Sequence, residues 1–287
     1  MIGWVRRMLN IVAAGTSVPL SAEPVFTIGS LVVTNSMLLG AVTGLIVLII
    51  FIVTAVRTSL LPRSKFAFAI ETVVDYFFGI AEENFGSRKK AAKHLPLLMT
   101  LFSFILIANL SGLIPGVGTI ITTTPEGEVP LLRAFTTDLN ATLALAVLTI
   151  GTVQFYALRE LGLLGHLKHY FTNKPWNPIN LFIGIIEVMG EFIRILTLSM
   201  RLFGVIYAGE VLLHVIGELA GNFGWAATVP VYLLEIFFSA IQAYLFVMLT
   251  TVYLSIATAH SHDAAPMHEP DSHPNRLKPA AADVISK

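Results

Sequence analysis

One arginine lies in the middle of a long apolar stretch, where a membrane would normally exclude a charge. Arg201 occurs in the segment 197–204, which reads TLSMRLFG, and no Asp or Glu lies within one helical turn of it. An arginine at the centre of a bilayer costs about 2.5 to 3.5 kcal/mol even on lenient insertion scales. The sequence therefore predicts that Arg201 faces a negatively charged partner, most simply one supplied by another subunit.

Other polar groups occur in the same apolar stretch and in the next one. The first stretch contains Glu187, Glu191, Arg194, Glu210 and His214, and the second contains Glu235 and Gln242. If the two helices run antiparallel about a turn near residues 222–223, Glu210 and Glu235 lie at one depth. Arg201 and Gln242 then match to within about 3 Å along the axis. This ladder predicts an ion path with a fixed positive charge at its inner end.

Each of these groups also has a simpler interpretation. A single Glu or His near the end of a membrane helix usually reaches the interface or makes a structural hydrogen bond. We expect Glu187, Glu191 and Arg194 to include at least one structural ion pair. The ion path is favoured because the groups occur together and Arg201 lacks a neutralising acid in its own helix.

The composition is that of a polytopic membrane protein. Hydrophobic residues make up 55% of the 287 residues, charged residues 13%, and the mean hydropathy is +0.77. The formal net charge is zero, so bulk electrostatics predict no nucleic-acid partner. The chain has no cysteine, which excludes disulfides, thiol catalysis and cysteine-ligated metals. We predict neither a cofactor nor a functional metal.

Apolar stretches of about 20 residues define the expected fold, an all-α membrane protein. We predict spans near residues 37–56, 97–116 and 138–158, then two longer, strongly tilted helices at 178–217 and 225–258 that form an antiparallel hairpin. Residues 66–85 are too polar to span. Their acids Glu71, Asp75 and Glu82 recur at helical spacing opposite apolar residues, which predicts an amphipathic helix in the interface.

The ends of the chain and the charges of its connections predict the topology. Residues 1–36 form an external or interfacial segment, whose Arg6 and Arg7 faintly resemble a signal peptide, and residues 37–259 form the membrane domain. The tail 260–287 is predicted to be disordered, although its four histidines could bind a metal opportunistically. Of the 18 Lys and Arg residues, 13 fall on the side of the tail. The tail is therefore predicted to be cytoplasmic and the N-terminus outside.

Several short motifs together resemble subunit a of F-type ATP synthase. They are RLFG at 201–204 with YAGE at 207–210, then QA at 242–243 and YLS at 253–255. NLSGLIPG at 109–116 and the stretch from Pro178 to Glu187 match the same family. The resemblance covers most of the chain from Met37 to Ala259.

The resemblance implies a non-catalytic stator subunit that embraces a rotating ring of c subunits, each with one essential carboxylate. Arg201 resembles the arginine that faces this carboxylate and separates two half-channels. Glu210, Glu235 and Gln242 resemble positions of the outer half-channel, with His214 in the same ladder and Asp138 and Asn140 near its mouth. Thr197 and Glu187 resemble positions on the cytoplasmic exit side.

The partners also follow from the resemblance, which implies a c-subunit ring, b-type peripheral stalk subunits and the remaining subunits of the F1F0 complex. The plasma membrane of a bacterium is expected rather than an organelle, because the sequence has no convincing transit peptide. Two positions depart from the pattern of the family. Val205 stands where an Asn often follows RLFG, and Glu210 and Glu235 are both acids where relatives often combine Glu with His.

Two other classes of function are less compatible with the sequence. A secondary transporter acting alone would commonly have an internal repeat with broken helices at matching positions, and the two halves of this sequence show no such repeat. An intramembrane hydrolase would need a nucleophile with a base beside it. Ser199 has no histidine at a suitable spacing.

Overall fold

The computed structural model describes residues 22–29, 31–57, 65–118, 120–124, 127–170 and 178–263. The predictions for residues 1–21 and for most of the tail, 264–287, lie outside this part of the chain. Within it, six α-helices dominate, as the sequence predicts. They are α1 (Asn35–Arg57), α2 (Lys65–Phe85), α3 (Arg88–Gly112), α4 (Leu139–Tyr170), α5 (Pro178–Leu219) and α6 (Gly224–Asp263).

Five of these helices are long and apolar enough to cross a membrane. Their candidate spans are Asn35–Val56, Arg88–Gly112, Leu139–Glu160, Phe182–Leu219 and Gly224–Thr258. The prediction of an all-α membrane protein with about five membrane-embedded helices is therefore confirmed. Helix α2 is not among the candidate spans. It packs its buried Phe77 and Ala81 against the core while Glu71 and Asp75 remain exposed.

Short strands, which the sequence did not predict, cap one end of the helices. β1 (Pro24–Ile28) and β2 (Leu31–Thr34) form one antiparallel hairpin before α1, and β4 (Ile121–Thr124) and β5 (Gly127–Pro130) form another between α3 and α4. β3 (Pro115–Gly118) begins after α3 has ended at Gly112. This end is earlier than the predicted residue 116 because Ile114 precedes a proline, which disfavours helical backbone at that position.

Helices α5 and α6 follow one another through a 3-10 turn, Gly221–Phe223, and pack closely. A side-chain carbon at Gly224 would lie 2.7 Å from the carbonyl oxygen of Gly217, and one at Gly209 would touch Glu235. These contacts pair earlier residues of α5 with later residues of α6. Glycine at 224 thus allows the two backbones to approach near the turn.

The core lies between α2, α3, α4, α5 and α6. Helix α5 contributes Leu198, Leu202 and Ile206, which are buried at a spacing of about four residues. Much of the rest of the α5 surface forms an exposed apolar face. Its exposed large side chains include Val188, Met189, Phe192, Ile193, Leu196 and Met200. Only 11% of the span of α5 is buried, against 39% for α3, α4 and α6.

Candidate functional site

A cavity of about 650 Å³ lies between the capping strands and the ends of α3, α5 and α6. Ionisable residues from four parts of the chain line it: Glu23, Arg133, Glu210, His214, Tyr232 and Glu235. We call this end of the molecule, with its strands and the turn between α5 and α6, the loop side. A space of this volume has room for roughly 20 waters at about 30 Å³ each. The arrangement can therefore hold a connected body of water next to several proton-exchanging groups.

Glu235 lies at the boundary between the cavity and the packed helices. It is only 5% exposed, and its Oε2 atom is buried without a hydrogen-bond partner. Gly209 of α5 leaves space for this carboxylate, because an added Cβ would lie 2.5 Å from Oε1 and 2.9 Å from Cδ. The missing side chain at position 209 is thus what lets Glu235 fit between α5 and α6.

Glu210 lies beside Glu235, as the sequence predicts from their equal distance to the turn. Both carboxylates line the same cavity. The Oε2 atom of Glu210 is also buried without a hydrogen-bond partner. His214, one helical turn further on, is exposed and makes a hydrogen bond of 3.0 Å between Nδ1 and the Glu210 carbonyl oxygen. These three residues are the carboxyl and imidazole groups that α5 and α6 contribute to the cavity lining.

Buried polar side chains continue from Glu235 into the helix bundle. Ser239 and Gln242 follow Glu235 on one face of α6, and Ser239 Oγ and Gln242 Nε2 have no hydrogen-bond partner. Asn109 of α3 faces them, with Nδ2 3.5 Å from the Ser239 carbonyl oxygen and Oδ1 unpaired. Buried polar atoms without protein partners are commonly satisfied by ordered water. Gln242, which the sequence predicts to be part of the polar ladder, thus lies beyond the end of the cavity.

Arg201 is half-buried on α5, outside the cavity lining. Across the part of the chain that the structure describes, its guanidinium has neither a hydrogen bond nor an ion pair. Its neighbours Leu198 and Leu202 are buried, whereas Met200 and Gly204 are exposed. Arg201 therefore lies at the edge of the exposed face of α5 and has a full set of donors available to a partner.

Asp138 and Asn140 are at the start of α4. Asp138 is 4% exposed, and both of its carboxylate oxygens accept hydrogen bonds. Ser36 Oγ donates to Oδ2 over 2.9 Å, and the Asn140 backbone N–H donates to Oδ1 over 3.0 Å. Asp138 thus caps α4 and ties it to α1. The adjacent Thr137 lines the cavity.

The remaining predicted residues lie on α5, on the far side of Arg201 from the cavity. Thr197 is exposed, and its hydroxyl donates to the Ile193 carbonyl oxygen over 2.7 Å; Glu187 is half-buried. Arg194 forms an ion pair with Glu191, and its guanidinium also stacks over the Tyr253 ring at 5.2 Å. The structural pair that the sequence predicted in this region is therefore present, and it distinguishes Arg194 from Arg201.

Sequence reasoning missed two charged residues that the fold brings to the cavity, Glu23 and Arg133. Arg133 is buried, with Nε donating to Thr137 Oγ1 over 3.2 Å. The sequence analysis placed Glu23 only in the N-terminal segment 1–36 and Arg133 only in the connection between the second and third spans. The signal in the sequence that could have identified them was their charge, because both lie in segments that pack over the polar ends of α5 and α6.

The described residues contain no group of three or more His, Asp or Glu side chains able to hold a metal ion. The site is instead a cavity lined in part by carboxylates, followed by buried polar groups and by an arginine without a partner among the described residues. Such a set of groups can accept, pass and release protons. The fold and the site thus define the class: a polytopic membrane protein in which buried polar side chains continue from a cavity into the helix bundle.

Comparison with known proteins places the chain within this class. Residues 37–255 match the family model described as ATP synthase A chain. "ATP synthase subunit a" of Listeria monocytogenes is 34% identical over 235 residues, 79% of this chain and 93% of the relative. The protein of the same name from Moorella thermoacetica is 32% identical, over 72% and 82%. That of Enterococcus hirae is 36% identical, over 65% and 76%.

The chain belongs to the ATP synthase A chain family. It is a multi-pass membrane subunit of the ATP synthase, the complex that couples ion transport to ATP synthesis. The resemblance found in the motifs around Arg201 is therefore confirmed, and the matched range includes all of the predicted site residues.

Gly209→Ala is expected to slow ATP-driven proton pumping several-fold, because the new methyl group would displace the Glu235 carboxylate from the cavity boundary. The measurement is acidification of inverted vesicles that contain the complex. Gly151→Ala is the matched control, since a side-chain carbon at Gly151 would meet nothing within 4 Å. Equal pumping rates in the two variants would contradict the position assigned to Glu235.

Proposed function

We propose that this chain is the proton-conducting stator subunit of the F0 sector. In this proposal it catalyses no reaction itself and provides two half-channels that meet a ring of c subunits at Arg201. The observation that carries the proposal is the unpaired guanidinium of Arg201 at the edge of an exposed apolar helix face. Arg194, which is half-buried on the same helix, has by comparison both an anion and a ring within the chain.

The cavity is assigned to the outer half-channel. Glu210 and Glu235 exchange protons with the cavity water, and Gln242 with its buried neighbours extends the path toward the middle of the membrane. His214 contributes to the cavity wall, and Asp138 and Asn140 are placed near the mouth. The exit to the cytoplasm runs on the other side of Arg201, past Thr197 and Glu187. The two paths are then connected only through the ring.

The charge of Arg201 explains how rotation and proton flow are coupled. A ring carboxylate that faces lipid is neutral, because the charged form is poorly solvated there. At about 4 Å from Arg201 and an effective dielectric constant near 20, its anion gains about 4 kcal/mol, which favours ionisation roughly 1,000-fold. The carboxylate therefore releases its proton into one half-channel and takes up the next proton from the other.

The driving force and the choice of residue follow from the same electrostatics. Each proton that crosses contributes about 2.3 kcal/mol per 100 mV of membrane potential. Arginine stays charged in any protein environment, whereas a lysine in a poorly solvated site can lose its proton. Under this proposal, Arg201 is a permanent barrier charge rather than a proton carrier.

The partners and orientation belong to the same proposal. The c ring docks on the exposed face of α5, b-type stalk subunits hold the chain against the soluble sector, and lipid covers the other spans. The complex lies in a bacterial plasma membrane, with the loop side outside and the C-terminus in the cytoplasm. The excess of Lys and Arg on the side of the tail supports this orientation.

A cross-linking experiment tests where the ring docks. The chain has no cysteine, so Met200→Cys on the exposed face of α5 introduces a single thiol. It is expected to form a disulfide with a cysteine in the outer helix of the c subunit. Phe155→Cys is the matched control, because Phe155 is on α4 and is 58% exposed, against 50% for Met200. Cross-linking from α4 alone would reject the proposed docking face.

A further inference from the structure

The cavity contains one acidic residue that comes from neither α5 nor α6. Glu23 lines the cavity, and its Oε2 atom is buried without a hydrogen-bond partner. The residue lies before the range 37–255 that matches the family. A buried carboxylate oxygen without a protein donor is unfavourable unless water or a proton satisfies it. The position of Glu23 at the cavity wall therefore requires explanation.

Hydrogen bonds hold Glu23 at this place from two directions. Its N–H donates to Asn35 Oδ1 over 3.2 Å, and its carbonyl oxygen accepts from the Asn35 N–H over 3.1 Å. Asn35 is fully buried, and its Nδ2 donates to the Pro130 carbonyl oxygen over 3.2 Å. The residue before β1 is thus bonded to the first residue of α1, and Asn35 also connects this region to β5. The Glu23 side chain is carried on a fixed backbone.

The surroundings of Glu23 are suited to proton exchange. The other ionisable residues of the cavity are Arg133, Glu210, His214, Tyr232 and Glu235. Water in the cavity can connect Glu23 with Glu210 and Glu235, whose Oε2 atoms also lack protein partners. The buried guanidinium of Arg133 supplies a positive charge in the same wall. Glu23 is therefore the acid that the N-terminal hairpin adds to this pathway.

We propose that Glu23 is a proton-transfer carboxylate of the loop-side cavity. It takes a proton from external water and releases it to the cavity water that reaches Glu210 and Glu235, and it runs in reverse when the complex pumps. This inference rests on the function proposed above. It adds a residue of the N-terminal hairpin to the conducting path.

The rate at which protons reach the cavity from water explains why an additional proton-accepting carboxylate would speed transport. At pH 7 and a rate constant of about 10¹⁰ M⁻¹ s⁻¹, one carboxylate meets about 1,000 protons per second. Proton uptake through a narrow cavity therefore approaches the limit that diffusion sets. Charged groups at the mouth of a cleft raise such rates by about 10-fold or more. The contribution of Glu23 should grow as the external pH rises and protons become scarcer.

The first test measures ATP synthesis by the purified complex in liposomes, with the soluble sector facing the medium. A potassium diffusion potential drives protons from the lumen, and the pH is equal on both sides, at 6 or at 8. Glu23→Gln is expected to lower the rate about three- to tenfold at pH 8 and less at pH 6. The matched control is Glu218→Gln, because Glu218 is exposed on α5 and does not line the cavity.

The second test separates proton transfer from a structural role of the side chain. In the Glu23→Cys complex, iodoacetate attaches a carboxylate to the thiol, whereas iodoacetamide attaches a neutral amide of nearly the same size. Synthesis at pH 8 is expected to recover after iodoacetate and to stay low after iodoacetamide. The parent complex treated with each reagent controls for cysteines in other subunits.

The outcomes distinguish this inference from the proposed function. Equal rates for Glu23→Gln and Glu218→Gln at both pH values, or equal recovery with the two reagents, would overturn the role of Glu23. In either case Glu235→Gln would still be slow if the cavity is the outer half-channel. Normal synthesis by Glu235→Gln would instead reject the proposed function of the cavity itself. The expected result is pH-dependent loss in Glu23→Gln and recovery with iodoacetate only.

Discussion

Arg201→Ala is expected to abolish ATP-driven proton pumping, to below about 1% of the parent rate, in inverted vesicles that contain the assembled complex. Under the proposed function, a carboxylate of the ring would lose about 4 kcal/mol of stabilisation for its charged form, so it would keep its proton at the interface with this chain. ATP hydrolysis by the released soluble sector is expected to remain normal. Acidification of the vesicle lumen measures the loss.

Two further variants test whether any positive charge in this helix can replace the guanidinium of Arg201. Arg201→Lys keeps a formal charge but lacks the permanent ionisation and the planar fork of donors, so we expect it to pump no protons either. Arg194→Ala removes an arginine from the same helix, but one that has Glu191 and Tyr253 as partners within the chain. It should pump within about twofold of the parent. Pumping by Arg201→Ala would show that this arginine is a packing residue.

Glu235→Gln is expected to slow proton transport at least tenfold in either direction. The substitution keeps the shape of a buried side chain and removes its ability to carry a proton, and positioned proton-transfer groups contribute about 10²- to 10⁴-fold to rates. The smaller loss that we expect reflects the nearby Glu210. Passive proton flow through the complex after removal of the soluble sector is the direct measurement.

A double-variant cycle tests whether Glu210 and Glu235 act as one unit. Two acids that share a proton should give losses that are not additive, so the double Gln variant should be little slower than the slower single variant. Losses that multiply would instead indicate two independent steps. Glu218→Gln controls for removal of an acid near the same end of α5. A normal rate in both single variants would exclude the relay.

The helices could be predicted from the sequence because the bilayer sets their length and composition. A span such as 37–56 has no charge and needs about 20 apolar residues, so its existence depends on local sequence alone. The depth match of Glu210 with Glu235 could also be predicted, since an antiparallel pair about a short turn fixes it by counting. The end of α3 was less predictable, because strand β3 replaces its last expected turn.

The contribution of each polar side chain depended on contacts between distant residues. The resemblance to the family implied only that Asp138 lies near the mouth of the outer half-channel. In the structure, one carboxylate oxygen of Asp138 caps α4, and the other accepts a hydrogen bond from Ser36 of α1, which is 102 residues away. Two short hairpins also escaped prediction, since strands of four or five residues leave only a weak periodic signal.

The sequence by itself determined the class of protein, the number of spans and the unusual position of Arg201, because the cost of charge in hydrocarbon is a local property of each residue. Only the tertiary structure decided which charges have partners. Arg194 is satisfied by Glu191 and Tyr253, whereas Arg201 is not satisfied by any described residue. Likewise, Glu23 joins the cavity only because Asn35 holds its backbone against the α1 start, and such long-range hydrogen bonds leave no periodic pattern in the chain.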